Sequence, residues 1–160
     1  RHPTKRYERR SLENIRHLVI SHSAIPGTVH PAAIARFHVE RVQWPGIGYH
    51  FYIDSQGRIY KTNELSVAPF HVGPWDRVSI GICVGGNFED QIPTSPQIKS
   101  TAWLAAWLLH ELGLPLDAIV GKNELVLADS PGHQWLSGQN WKRILTERVS
   151  ALSLAWEQND

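Results

Sequence analysis

Nine histidines, one cysteine and two short polar loops hold the side chains of this chain that could do chemistry. An imidazole can bind a metal or move a proton near neutral pH. Isolated histidines are more often hydrogen-bonded structural groups, and His2, His17, His30, His38 and His110 are read that way. His22 ends the apolar run Leu18-Val19-Ile20-Ser21, and His71 lies in a loop before Val72-Gly73. His133 shares a second loop with a carboxylate and a hydroxyl, in Ala128-Asp129-Ser130-Pro131-Gly132-His133. Lys122 follows the short run Ala118-Ile119-Val120-Gly121. Imidazole and carboxylate are side chains that can hold zinc, whereas other hydrolytic chemistries lack their signatures. Gly-x-Ser-x-Gly is absent, so there is no nucleophile elbow. Cys83 sits in the apolar run Ile80-Gly81-Ile82-Cys83-Val84, without a cysteine-protease signature, and reads as core. The glycines at 81, 85 and 86 do not have dinucleotide-fingerprint spacing.

The elements that must position these groups alternate between strand and helix patterns. Gly48-Tyr49-His50-Phe51-Tyr52-Ile53-Asp54 is aromatic-rich and alternating, and Ser55-Gln56-Gly57 turns it into Arg58-Ile59-Tyr60-Lys61-Thr62. This is a β-hairpin pattern. Continuous alternation puts Tyr49 and Phe51 on one face and His50 and Tyr52 on the other. Leu18–Ser21 and Ser79–Val84 are two further strands, and Ala118–Val120 is a short one. Helices are expected over Thr28–Val42, with Pro31 in the first turn, and from Ser95 to Gly113, with Ser95 as N-cap and Pro96 at the first position. A third is expected over Trp141–Trp156, capped by Asn140. The pattern predicts an α/β domain with a mixed sheet, since the hairpin forces one antiparallel pair.

Leu18-Val19-Ile20-Ser21-His22-Ser23-Ala24, Gly48-Tyr49-His50-Phe51 and Val78–Asn87, in that order, resemble the peptidoglycan-recognition and zinc-dependent N-acetylmuramoyl-L-alanine amidase family, which includes phage lysozyme-type amidases. The resemblance runs from about His17 to Trp135. It implies a sheet of five or six strands flanked by about three helices. It also implies zinc as cofactor, peptidoglycan or a muropeptide as partner, and a cell-wall, extracellular or phage-associated setting. Its first histidine ligand falls on His22 and its catalytic tyrosine on Tyr49. Its groove runs near His71, and Trp75 is an expected ligand contact beside it.

Three positions of that pattern are substituted. Gly121-Lys122 carries a lysine where the resemblance implies the second histidine ligand. Ser130 stands where it implies a cysteine or aspartate ligand, and Ala128 where it implies a lysine or threonine that steadies the oxyanion. An ordinary lysine must lose its proton to offer a lone pair, which costs roughly 4.6 kcal/mol at pH 7. A neutral hydroxyl is a far poorer zinc ligand than thiolate or carboxylate. Three functions remain on these residues. One is a degraded zinc site whose groove binds peptidoglycan stem peptide without catalysis, with Lys122 filling the place of the cation near His22 and paired with Asp129 or Glu124. Another is an amidase with Asp129 or His133 as substitute ligands. The last is a scaffold domain of a larger assembly.

Composition agrees with a folded domain. Of 160 residues 42% are hydrophobic and 19% charged, enough for a sizeable core. The net charge of +1 shows no basic surplus for nucleic acid, and one cysteine excludes an internal disulfide. The longest apolar run, Ala102–Leu109, is too short to span a bilayer. The chain starts at Arg1 with no signal-peptide pattern, as expected of a mature form or a domain of something longer. Residues 1–16 are expected to form an N-terminal arm on the surface and 17–160 the domain. Seven tryptophans suit sugar stacking, though core packing is the expectation for most.

Overall fold

The computed structural model describes residues 1–159. Five strands form one mixed sheet: β1 (His17–His22), β2 (Phe51–Ile53), β3 (Ile59–Lys61), β4 (Ser79–Val84) and β5 (Ile119–Gly121), in the order β3-β2-β4-β1-β5. Only β2 and β3 are antiparallel, with Tyr52 opposite Tyr60; this is the hairpin read from the sequence. The parallel strands β4, β1 and β5 all end at one edge, near His22, Val84 and Gly121.

The helices are α1 (Pro31–Glu40), α2 (Ser95–Leu112), α3 (Lys122–Leu125) and α4 (Trp141–Asn159). Pro31 opens α1, where its missing N–H costs nothing, and His30 caps it through Nδ1 to the Ala32 amide. In α2 the cap is Thr94 rather than Ser95, because Gln97 completes a reciprocal capping box with it. Gly113 closes α2 at φ 64°, a left-handed conformation that favours glycine. The single turn α3 has no counterpart in the sequence pattern, being too short to show a helical period.

Side chains alternate across the strands. Leu18, Ile20, Ile53, Ile80, Ile82 and Ile119 face α2 and α4 and form the main core with Trp135 and Trp141. Those two rings meet edge-to-face at 4.6 Å, a geometry worth about 1 kcal/mol beyond burial. The opposite face carries a smaller cluster of Tyr52, Cys83, Ile47 and Ile34, with α1 laid over it.

Most of the first ten residues are exposed, and Arg10 anchors this arm to the domain. The Arg10 side chain is buried and donates to the carbonyls of Leu65 and Asp76, at 3.0 Å each. The Tyr7 hydroxyl donates to Gly46 O, and Arg9 bridges Val67. The 63–70 segment offers backbone groups with no strand partner of their own, and the first ten residues satisfy several of them.

Candidate functional site

The α1-facing side of the sheet is where side chains of mixed chemistry converge. Register sets one row across it. Ser21 and Tyr52 both pair with Cys83. Ile20 pairs with Gly121, so the next residue on each strand puts Lys122, at the start of α3, beside Ser21. The row is therefore Lys122, Ser21, Cys83, Tyr52. Ser21 is 1% exposed, and its hydroxyl has no hydrogen-bond partner among the described residues.

Tyr49 joins this row at Cys83. Continuous alternation would have placed it with Phe51, but the strand begins only at Phe51 and the chain bends at His50. The His50 ring is pinned by the Gly81 amide, which donates to Nδ1 at 2.9 Å, leaving Nε2–H to donate to Val67 O at 2.9 Å. Tyr49 is held through its backbone: its carbonyl accepts from Thr62 Oγ1 at 2.6 Å and Asn63 Nδ2 at 2.7 Å. The preceding amide, Gly48, donates to His38 Nδ1 at 3.0 Å. A side chain at Gly48 would collide with Trp44 and the Phe70 carbonyl. Between Tyr49 and α1 lies a cavity of about 330 Å³, lined by Ser23, Val29, Ile34, Phe37 and His38.

The electrostatics of this face centre on Lys122. Among the described residues its ammonium makes no ion pair. Burial lowers His38 to about 4 and the Lys122 charge adds to this. Burial raises Cys83 to about 12, and Lys122 opposes it. Burial also holds the Tyr49 phenol well above its usual range. His38, Cys83 and Tyr49 are thus neutral at pH 7, and the carboxylate that feels the Lys122 charge is Asp76, whose pKa burial raises and the Val72 and His71 amides, Lys122 and Arg10 lower. The expected pairing with Glu124 does not form, because Glu124 is committed elsewhere: to the Gly121 amide at 2.6 Å, Trp135 Nε1 at 2.9 Å and Lys142 Nζ at 2.7 Å. Asp129 is exposed and makes no ion pair with it.

The other residues singled out in the sequence lie elsewhere. His22 alternates to the face opposite Ser21, beside Phe88, whose amide donates to His22 Nδ1 at 3.1 Å. That bond uses the Nδ1 lone pair and leaves the proton on Nε2, so the imidazole is not presented to the row as a ligand. Burial lowers the His22 pKa, opposed by Glu89 and Asp129. His22 and Lys122 are therefore not neighbours in one pocket, since alternation separates them. His71 is 3% exposed, with its ring against Gly81 and neither ring nitrogen hydrogen-bonded, so it underlies the sheet rather than lining a groove. Trp75 packs on His17 at the start of β1, about 17 Å of strand from the end where Lys122 stands. His133 is exposed, and Ala128 offers only a methyl group. Ser130 does come to the site edge, where its Oγ accepts the His22 backbone amide at 3.0 Å. Sequence reading missed Ser21, Cys83 and His38. Strand parity marks Ser21, one residue from the histidine that drew attention.

Residues 11–142 match the family described as N-acetylmuramoyl-L-alanine amidase. The chain belongs to this family. Peptidoglycan recognition protein 1 of Mus musculus is 30% identical over 94 residues, covering 54% of this chain and 52% of that protein, so the chain spans about half the length of the curated relatives it matches. Among solved structures, the Ph2119 endolysin from the Thermus scotoductus bacteriophage Ph2119 superposes with a TM-score of 0.77 at 28% identity, covering 89% of each chain. The ectodomain complex of peptidoglycan recognition proteins LCa and LCx bound to tracheal cytotoxin gives a TM-score of 0.73 at 25% identity, covering 84% of this chain and 85% of that one.

The amidase family is generally zinc-dependent, and the donor set of this amidase-fold chain does not suit zinc. Among the described residues no three of His, Cys, Asp and Glu are grouped so that they could hold a metal ion. At the row itself, an ammonium has no lone pair and the two serines offer only neutral hydroxyls. Asp129 and His133, the substitute ligands considered from the sequence, do not complete a set of three. Among the described residues no helix is long and apolar enough to cross a membrane.

Proposed function

We propose that this domain binds peptidoglycan stem peptide or a related muropeptide in the groove between α1 and Tyr49 without hydrolysing it. The observation that carries this reading is the row Lys122, Ser21 and Cys83, with Ser130 at its edge. A zinc amidase needs three lone-pair donors and an open position for water. The residues at this end of the sheet supply an ammonium and hydroxyls, so they activate no water by the metal route. The groove itself is intact: it is apolar on the α1 side, where Phe37 is half-exposed, and polar at Tyr49 and His38. Such a lining suits a ligand with both sugar faces and amide groups. A structural relative in complex with tracheal cytotoxin adds support from outside the chain.

The test is an NMR titration with a muramyl tripeptide. Shifts confined to Tyr49, His38 and the α1 residues Ile34 and Phe37 are the expected result. Unmoved resonances at millimolar ligand would favour a scaffold role, and release of free peptide would mean catalysis by another route.

A further inference from the structure

The feature this function leaves unused is the solvent side of α2. A helix that is apolar all round is ordinarily buried. One side of α2 packs into the core through Ile98, Ala102, Ala105 and Leu109, yet the outer side carries Trp103 and Trp107, which are 49% and 37% exposed. A spacing of four sets Lys99, Trp103, Trp107 and Glu111 on one ridge of the helix, and all four are exposed. The ridge carries a charge of opposite sign at each end. Neither Lys99 nor Glu111 makes an ion pair among the described residues. Ser100 Oγ donates to Gly57 O at 2.6 Å, which ties the helix to the hairpin turn and holds the ridge in place.

We infer that this ridge is a docking surface for a second copy of the chain, packed antiparallel along it. Turned end for end, the ridge is complementary to itself. Lys99 meets Glu111 of the second copy, and Trp103 meets its Trp107. The indoles are then covered at the centre and the charges pair at the rim. Ridges of this spacing pack with helix axes about 50° apart, the crossing at which two such ridges run alongside each other. A neutral sugar would stack on the indoles, but it makes no use of opposite charges at the two ends. The contact is isologous and closes at two copies. The core side that α2 covers and the cluster under α1 are opposite faces of the sheet, so both grooves stay open. Such a dimer engages a polymeric ligand at two grooves at once.

Analytical ultracentrifugation of the parent from about 1 μM to about 1 mM should show a reversible monomer–dimer equilibrium, a weak one because a single helix face is small for an interface. Trp103→Ser with Trp107→Ser should be monomeric over that range, and a thermal melt shows whether the variant is folded. Lys99→Glu and Glu111→Lys each turn both charge pairs into repulsions, and each should weaken association about tenfold. An equal mixture of these two single variants should associate about as tightly as the parent, since every pair is again opposite in sign. A parent that stays monomeric throughout overturns the inference; if chitotetraose then shifts the Trp103 and Trp107 resonances, the ridge is a sugar platform instead. Association that is unmoved by either charge change, or not restored on mixing, overturns the antiparallel contact. Each of these outcomes leaves the groove reading standing.

Discussion

Ser130 Oγ accepts the backbone N–H of His22 at 3.0 Å, joining a loop late in the chain to the end of β1 across 108 residues. This bond brings the Ser130 loop to β1 while the His22 ring turns to the other face of the sheet. Rebuilding a zinc site therefore requires a ligand at 21, not 22. Lys122→His with Ser130→Cys should bind little zinc, and adding Ser21→His should give a stoichiometric tetrahedral site. Equilibrium dialysis decides the matter: full zinc loading of the double variant would mean that His22 can turn toward the row.

Acid should weaken the fold through its buried histidines. Burial holds His50 at about 3 and His71 well below its usual value, with Val67 O opposing burial at His50 and the His50 and Arg10 charges reinforcing it at His71. An unfolded histidine takes up its proton near pH 6.5. Below that, the unfolded chain binds more protons than the folded one, so stability is whole above about pH 6.5 and falls continuously toward pH 3. Between pH 7 and 5 the loss is roughly 1–2 kcal/mol for each fully buried histidine. The thermal midpoint should drop by about 5–10 °C over that interval, and a flat profile would count against the neutral, buried assignment.

Gly81→Ala tests how closely His71 packs beneath β4. A Cβ at position 81 would lie 2.7 Å from the His71 ring, which is enclosed and cannot swing away. Overpacking of this kind costs about 1–3 kcal/mol. Denaturant unfolding should show that loss, and an unchanged midpoint would mean that the ring can move.

Glu124 ties α3 to Trp135 and Lys142 and leaves Lys122 free. Burial raises its pKa, but the Gly121 amide, Lys142 and Trp135 outweigh this and lower it overall. Glu124→Ala should cost about 2–3 kcal/mol, because the Gly121 amide and the Trp135 Nε1–H lose their acceptor. If the variant is as stable as the parent, the bonds to Glu124 contribute nothing net.

The hairpin, the three long helices and their proline and glycine boundaries were legible because each depends on local chemistry. Pro31 opens α1, Gly113 closes α2, and the alternation from Phe51 to Ile53 makes β2. The substitutions at Lys122, Ala128 and Ser130 were also plain, since they break a pattern at fixed spacing. What sequence could not supply was side-chain direction. His22 and Ser21 are adjacent, and only the pairing of Ser21 with Cys83 shows which one faces α1. Tyr49 escaped its alternation because the Gly81 amide captures His50 and bends the chain just before β2. Partner choice was equally hidden: Glu124 follows Lys122 by two residues, yet pairs with Lys142 across a loop.

Calorimetric titration of the chelator-dialysed protein with muramyl tripeptide shows whether the groove binds its ligand without metal. The same affinity is expected in EDTA and with one equivalent of added zinc, and intact tripeptide by mass spectrometry afterwards. Binding that appears only with zinc, or recovery of cleaved peptide, would contradict it.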